Sequence, residues 1–194
     1  LFPYTTLFRS VVLSLAPRAT LVDISHQITP YAVTEGAFVV SEAYRYFPKG
    51  TIHVVVVDPG VGTSRRPILV QAAGQYFVGP DNGVLAMVYL NERARVRELT
   101  NKKYFLKNIS QTFHGRDVFA PVAGHLAKGV KPAVLGKMIE DYLRPTHLQP
   151  VRVGKRQWTG AVVKVDRFGN LITNLRPGDV PDFGSRAFTL VAAR

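Results

Sequence analysis

Polar residues that could carry chemistry are concentrated in four short segments that follow apolar stretches of the chain. The segments are Asp23-Ile-Ser-His26, residues 58–66 (Asp-Pro-Gly-Val-Gly-Thr-Ser-Arg-Arg), residues 79–83 (Gly-Pro-Asp-Asn-Gly) and residues 112–117 (Thr-Phe-His-Gly-Arg-Asp). In open α/β sheets, ligands bind outside the carboxyl ends of the strands. The segments therefore predict a polar site at one edge of a sheet.

Asp58 is the sharpest candidate, because it directly follows the run Thr-Ile-His-Val-Val-Val-Val at residues 51–57. A carboxylate at the end of a buried strand is partly desolvated and needs a cation or hydrogen-bond donors. Arg65 follows after a glycine-containing turn and could supply them. The alternative is that Asp58 only caps its own turn. His114 lies in a polar, glycine-containing segment, which makes a buried structural histidine less favoured.

Other chemistries stay open at this point. Asp23, His26, Asp58 and His114 could together form a His/Asp metal site of hydrolase type, although no His-Glu-x-x-His motif supports one. Gly60-Val-Gly62 suggests a phosphate loop, but neither nucleotide-binding glycine motif is complete. A serine hydrolase is disfavoured because no G-x-S-x-G elbow occurs.

The composition limits the class of protein. Of the 194 residues, 46% are hydrophobic, which is typical of a globular chain. The absence of cysteine excludes disulfides, zinc-thiolate sites and cysteine nucleophiles. No apolar run is long enough for a transmembrane helix. These features favour a cytoplasmic protein without a membrane partner.

A formal charge of +12 raises nucleic-acid binding as a rival hypothesis. Basic residues cluster at residues 93–97, 101–103 and 152–156, but no zinc finger, RNP pattern or GXXG clamp accompanies them. A solvated basic surface is the simpler interpretation, so a nucleic-acid partner is not expected.

The elements that must position the candidate residues alternate between strand and helix. Strands are predicted at residues 20–24, 51–57, 67–72 and 75–78, and helices at 34–46, 83–91, 118–129 and 133–143. The β-branched run at 51–57 is typical of a strand buried on both faces, in the centre of a parallel sheet. The pattern predicts an α/β layered N-terminal domain with a mostly parallel sheet over residues 11–148.

The pattern changes near residue 149. Apolar and polar residues alternate at 160–166 and 171–175, on either side of Gly169-Asn170, which predicts an antiparallel hairpin. We therefore expect residues 149–194 to begin an all-β, barrel-like domain.

Both ends of the sequence look incomplete. Residues 1–10 resemble the translation of a sequencing adapter, and residues 186–193 look like a strand without a closing turn. We expect residues 1–10 to be a sequence artefact, the first strand of the sheet to be missing, and the β domain to be a fragment.

In order and spacing, the four segments together with residues 166–174 (Asp-Arg-Phe-Gly-Asn-Leu-Ile-Thr-Asn) resemble the S-adenosyl-L-methionine hydroxide adenosyltransferases. These hydrolases are related to fluorinating and chlorinating adenosyl-halide synthases. The resemblance runs over residues 11–194. It implies an α/β domain followed by a β-barrel domain. It also implies hydrolysis of S-adenosyl-L-methionine to adenosine and L-methionine by activated water, which attacks the ribose 5′ carbon.

The resemblance also implies roles for residues of this chain. Asp58, Arg65 and His114 match a catalytic triad that positions water, and this charged set implies hydroxide rather than halide as nucleophile. The implied substrate-binding residues are Tyr31, Asp166, Phe168 and Asn170. The resemblance implies a homotrimer with sites between subunits, and it implies neither a metal nor a cofactor. The family's ribose-binding Thr-Asp-Phe-Gly segment is absent, so we expect the 194-residue chain by itself to be nearly inactive.

Overall fold

The computed structural model describes residues 4–180 and residues 185, 187, 189 and 191. The predicted strand at 186–193 thus falls largely outside the described residues. The helices are α1 (Tyr4–Leu15), α2 (Val33–Ala43), α3 (Ala86–Asn91) and α4 (Ala120–Ala127). The strands are β1 (Ile52–Val54), β2 (Pro67–Ala72), β3 (Gln75–Pro80), β4 (Arg95–Leu99), β5 (Gly136–Met138), β6 (Val151–Gly154), β7 (Gln157–Thr159), β8 (Val162–Val165) and β9 (Leu171–Thr173). The chain forms two compact units, one that ends at Arg144 and one that begins at Pro145.

The first unit contains a five-stranded sheet in the order β1-β3-β2-β4-β5. The predicted α/β class is confirmed. The sheet is mixed. Among the described strands only β1 and β3 pair in parallel, so the sheet contains fewer parallel pairs than the sequence predicted. The reason is the two-residue turn Ala73-Gly74, whose φ angles of 52° and 73° fit a tight hairpin that makes β2 and β3 antiparallel.

The strand predicted at residues 51–57 is shorter and more exposed than expected. β1 covers only Ile52–Val54 and lies at one end of the described sheet, and Val56 is 42% exposed. The prediction of a strand buried on both faces is therefore wrong. The Val55 amide still donates to the Val78 carbonyl at 2.9 Å. Beyond Val55 the chain leaves the backbone hydrogen bonding of the sheet and continues to Asp58.

The helices at the candidate site follow the predicted pattern closely. A π-helical turn over Gly115–Phe119 leads into α4, which ends before Gly129, a glycine with a φ of 87°. Phe119 and Val122 pack on the sheet residues Leu69 and Val78. The helices predicted at 34–46 and 83–91 correspond to α2, extended by a 3-10 turn at Tyr44–Tyr46, and to α3.

Two predicted elements are wrong. Residues 20–24 form no strand. The helix predicted at 133–143 is a 3-10 turn at Pro132–Val134 followed by β5, whose Gly136 pairs with Leu99. A Cβ on Gly136 would collide with the Glu98 carbonyl oxygen, so this glycine allows a close strand contact that overrides the local helical pattern.

Residues 4–10 belong to α1 and are continuous with the rest of that helix. Val12 packs against Ala120 and Ala123 of α4, and Phe8 contacts the same cluster. The contacts of a helix do not bear on the origin of its residues. The expectation that residues 1–10 are an artefact therefore stays a prediction.

The second unit contains two antiparallel hairpins, β6–β7 and β8–β9. The second of these is the hairpin that the alternating pattern predicts around Gly169-Asn170. Within the described residues each hairpin is a separate two-stranded sheet. In the part of the chain that the structure covers, no helix is long and apolar enough to cross a membrane.

Candidate active site

Asp58 and Arg65 form a buried ion pair at the end of the β1 segment. The Nε of Arg65 donates to Asp58 Oδ1 at 3.0 Å, and its Nη2 donates to Asp58 Oδ2. The two side chains are only 8% and 5% exposed. A bidentate guanidinium–carboxylate contact of this kind fixes the relative orientation of the two side chains as well as the distance between them. The position of Asp58 is therefore coupled to that of Arg65.

His114, which directly precedes the π-helical turn Gly115–Phe119, completes the cluster. Its Nδ1 lies 2.9 Å from Arg65 Nη2. Because a guanidinium can only donate, Nδ1 is the acceptor, and the neutral imidazole carries its proton on Nε2. Burial, and next the charge of Arg65, lower the pKa of His114 below its ordinary value of 6.5. His114 is consequently neutral at pH 7.

The loops that carry the three residues are closely packed. Gly62 has a φ of 79°, and a Cβ there would lie 2.5 Å from the Gln111 carbonyl oxygen. Asp117 is fully buried, and its carboxylate accepts from the Ser110 amide at 2.8 Å and from Arg116 Nε at 2.6 Å. Asp117 therefore ties the loop before His114 to the helical turn after it.

Two N–H groups of the cluster make no hydrogen bond among the described residues. Arg65 Nη1 is buried and has no hydrogen-bond partner among the described residues. The Nε2–H of His114 is the second. The guanidinium carbon lies 5.5 Å from the centre of the Phe119 ring, so one wall of the cluster is apolar. Donors beside a carboxylate in a dry environment suit a water molecule that develops negative charge.

The four residues of the metal alternative do not come together. Asp23 pairs with Arg9 at 2.6 Å and with His26 at 3.3 Å, and all three side chains are about half exposed. Within the described residues, no group of three or more His, Cys, Asp or Glu residues is placed to hold a metal ion. The proposed Asp23/His26/Asp58/His114 site is therefore not formed.

Tyr31 precedes α2 in an unusual backbone conformation. Its φ is 68° and its side chain is 77% exposed. A non-glycine residue in this region costs about 1–3 kcal/mol, and such strain is concentrated at functional sites. The structure thus marks Tyr31 as a special position, while its role in substrate binding stays a prediction.

Asp166, Phe168 and Asn170 lie together in the turn between β8 and β9. Asp166 Oδ1 accepts from the amides of Phe168 and Asn170, both at 2.8 Å, and Oδ2 accepts from Asn170 Nδ2 at 2.6 Å. The bonds from Asn170 lower the pKa of Asp166. Phe168 is 92% exposed. Asp166 therefore organises a turn that presents an aromatic ring to its surroundings.

Three residues beside the cluster have roles that the sequence did not predict. Phe119 lies near Arg65, Asp117 anchors the His114 loop, and Asn82 Nδ2 donates to the carbonyl oxygen of Val57 at 2.8 Å. Asp117 and Asn82 were within the recognised polar segments. Their roles depend on contacts between segments, which spacing along the chain does not reveal.

The fold and the cluster define an α/β protein with a buried carboxylate–guanidinium–imidazole site at the strand ends. The model for the SAM hydroxide adenosyltransferase N-terminal domain matches residues 2–136. The chain belongs to this family.

Its relatives include an (R)-S-adenosyl-L-methionine hydrolase from Salinispora arenicola, 44% identical over 83% of this chain and 62% of the relative. A fluorinase from an Actinoplanes species is 28% identical over 91% of this chain and 68% of the relative. The crystal structure of an uncharacterized conserved protein from Thermotoga maritima superposes with a TM-score of 0.84 at 40% identity, over 95% of this chain and 71% of that one. The chain thus spans less than two thirds of the length of the Salinispora hydrolase.

Proposed function

We propose that this protein hydrolyses S-adenosyl-L-methionine to adenosine and L-methionine. The observation that carries the proposal is the buried Asp58–Arg65–His114 cluster in a chain of this family. The greater identity to a hydrolase than to a fluorinase supports it.

In the proposed step, a water oxygen forms a bond to the ribose 5′ carbon while the carbon–sulfur bond breaks. The electron pair of that bond goes to sulfur, so the sulfonium becomes the neutral thioether of methionine and needs no general acid. The water loses one proton. Since Nδ1 of His114 is occupied and Nε2 carries a hydrogen, Asp58 is the group that accepts this proton. Arg65 Nη1 and His114 Nε2 then stabilise the developing hydroxide.

The same geometry favours water over a halide as nucleophile. Water donates to Asp58 and accepts from Arg65 at once, whereas a halide has no proton and is repelled by the carboxylate. We expect that fluoride or chloride added to the reaction yields no 5′-halogenated nucleoside. Mass spectrometry of the nucleoside products measures this directly.

The remaining roles follow from the family pattern. We propose that Tyr31, Asp166, Phe168 and Asn170 bind substrate, Asp166 through the ammonium group of the methionine part. We further propose a cytoplasmic homotrimer whose sites lie between subunits, without metal or cofactor. The exposed Phe168 ring is consistent with a contact outside its own turn.

The name of the Salinispora relative specifies the (R) form of the substrate. We propose the same preference here. Both epimers have the same leaving group, so discrimination must come from the fit of the sulfonium centre. Incubation with the epimeric mixture should consume the (R) form first, and equal consumption of both forms would remove this part of the proposal.

The function is tested by product analysis with protein in excess over substrate, so that slow turnover still gives measurable product. We expect adenosine and methionine in equal amounts, and no change on addition of a chelator. Methylthioadenosine or adenine as the main product would contradict the proposal. Loss of activity with chelator, restored by zinc or manganese, would indicate metal chemistry instead.

A further inference from the structure

The segment that delivers Asp58 to the site lies beyond the strand ladder. The amide of Val55 makes a strand-type bond to the Val78 carbonyl at 2.9 Å, and β1 itself ends at Val54. Further along, the Val57 carbonyl accepts a hydrogen bond from a side chain, the Nδ2 of Asn82, at 2.8 Å. Val57 is the residue immediately before Asp58.

The amide group of Asn82 is oriented by a second bond. Its Oδ1 accepts from the Val84 amide at 3.1 Å, which directs Nδ2 toward Val57. Val84 and Leu85 are fully buried in the connection from β3 to α3. The amide is therefore anchored to the rigid core and not to the loop that it contacts.

The other side of Val57 is also occupied. A Cβ on Gly36 of α2 would lie 2.8 Å from Val57 Cγ2, so the helix packs directly on this side chain. The residue before Asp58 is thus held on its carbonyl by Asn82 and on its side chain by α2.

We propose that Asn82 is a positioning residue that sets the carboxylate of Asp58 by holding the Val57 carbonyl. The expected effect of Asn82 on turnover rests on the proposed function, whereas its expected effect on the position of Asp58 does not. A shift of about 1 Å in a reacting group can cost about 10²-fold in rate. Asn82 itself touches no reacting atom.

A merely structural role for the Asn82 turn is the competing explanation, and the chain offers a matched control for it. Asn101 makes the same pair of bonds: its Oδ1 accepts from the Lys103 amide at 3.3 Å, and its Nδ2 donates to the Val134 carbonyl at 2.8 Å. Its partners belong to two 3-10 turns that carry no residue of the cluster.

The experiment compares Asn82→Ala with Asn101→Ala by kcat, KM and the titration of His114 in NMR spectra, assigned with His114→Gln. For Asn82→Ala we expect kcat to fall about 10- to 100-fold with little change in KM. We also expect the titration of His114 to shift, because Arg65 bonds both Asp58 and His114 and so passes a displacement of the carboxylate on to the imidazole. For Asn101→Ala we expect a similar loss of thermal stability, with kcat and the His114 titration unchanged.

Asn82→Asp provides a second variant, which keeps the acceptor for Val84 and removes the donor to Val57. It should reproduce the loss in kcat. An unchanged kcat and His114 titration in both Asn82 variants would overturn the inference, and so would equal changes in Asn101→Ala. If the unmodified chain releases no adenosine but Asn82→Ala shifts the His114 titration, the positioning role stands and the proposed function fails.

Discussion

Arg65 connects the two other residues of the cluster, because one guanidinium makes two bonds to Asp58 and one to His114. A lysine has a single ammonium group and cannot reproduce this planar arrangement. The negative charge of Asp58 holds Arg65 in place, and in the proposed step it also accepts the proton of water. Replacement of either residue therefore changes geometry as well as charge.

The first prediction concerns Asp58→Asn, which keeps the shape of the side chain and removes its charge. In the full-length protein we expect turnover to fall about 10²- to 10⁴-fold, the usual scale for a positioned acid–base group. Loss of a buried partner also costs about 3–5 kcal/mol in stability, so circular dichroism must accompany the kinetics.

Asp141→Asn is the matched control. Asp141 also pairs with an arginine, Arg66, at 2.9 Å, but its side chain is 78% exposed. We expect normal turnover for this variant. Equal rates for the Asp58 and Asp141 variants would remove Asp58 from the mechanism.

The second prediction concerns the pH dependence of turnover. Protonation of His114 at Nδ1 would abolish its bond from Arg65, so the active form has a neutral imidazole. Burial and Arg65 lower the pKa of His114. Turnover should therefore fall on the acidic side only below the ordinary histidine value of about 6.5. A pH–rate profile in which His114→Gln lowers kcat and abolishes this acidic decline would confirm the assignment, whereas an unchanged acidic limb would contradict it.

At the scale of elements, β1 contains a buried histidine that links its packing to pH. His53 lies with Nε2 at 2.5 Å from Gln75 Oε1, and its ring stacks on Phe77 with centroids 4.8 Å apart. The orientation of the Gln75 side-chain amide is fixed from the other side, since its Nε2 donates to the carbonyls of Tyr44 and Phe47. The Oε1 of Gln75 therefore accepts, and His53 donates from Nε2.

The third prediction concerns the pH dependence of the free energy of unfolding, to which His53 contributes. Burial lowers the pKa of His53, so below about 6.5 the unfolded chain binds more protons than the folded one. The free energy of unfolding should fall as pH drops below that value, and His114 and His125, whose pKa values are also lowered, act in the same direction.

Urea unfolding of the unmodified chain and of His53→Gln over a series of pH values measures the effect. The variant should show a weaker pH dependence. An equal pH dependence in the unmodified chain and His53→Gln would contradict this role of His53.

The elements differ in how far local sequence determines them. Gly129 ends α4 as predicted, since a glycine at positive φ is a local requirement that the sequence displays. The 133–143 region was mispredicted because its pairing with β4 is a long-range contact that local periodicity does not contain. The parallel share of the sheet was overestimated because Ala73-Gly74 is a two-residue hairpin turn, a signal that is present in the sequence.

The site likewise combines features that the local sequence reveals with features that depend on contacts between distant segments. Asp58 was recognisable because a charged residue directly follows a β-branched run, and Arg65 because a glycine turn returns the chain toward it. The direction of the His114 hydrogen bond was not recognisable, since it depends on which guanidinium nitrogen faces the ring. In the proposed step, this hydrogen bond makes the Asp58 carboxylate, and not the imidazole, the acceptor of the water proton.

At the scale of the whole molecule, the fourth prediction is that the protein is a homotrimer. Large aromatic side chains that are mostly exposed in the single chain, such as Tyr31 and Phe168, are suited to contacts with another subunit. Sedimentation equilibrium should give the mass of three chains, and substitution of Phe168 by Ser should weaken the assembly. A monomer at every concentration would contradict the proposed sites between subunits.

In the proposed reaction, water attacks the ribose 5′ carbon of S-adenosyl-L-methionine. The most direct test is to run the reaction in water labelled with a heavy oxygen isotope and to analyse the products by mass spectrometry. We expect adenosine that carries the label in its 5′ hydroxyl group, together with unlabelled methionine. Unlabelled adenosine, or a labelled homoserine beside methylthioadenosine, would show that the carbon–oxygen bond forms elsewhere and would contradict attack of water at the ribose 5′ carbon.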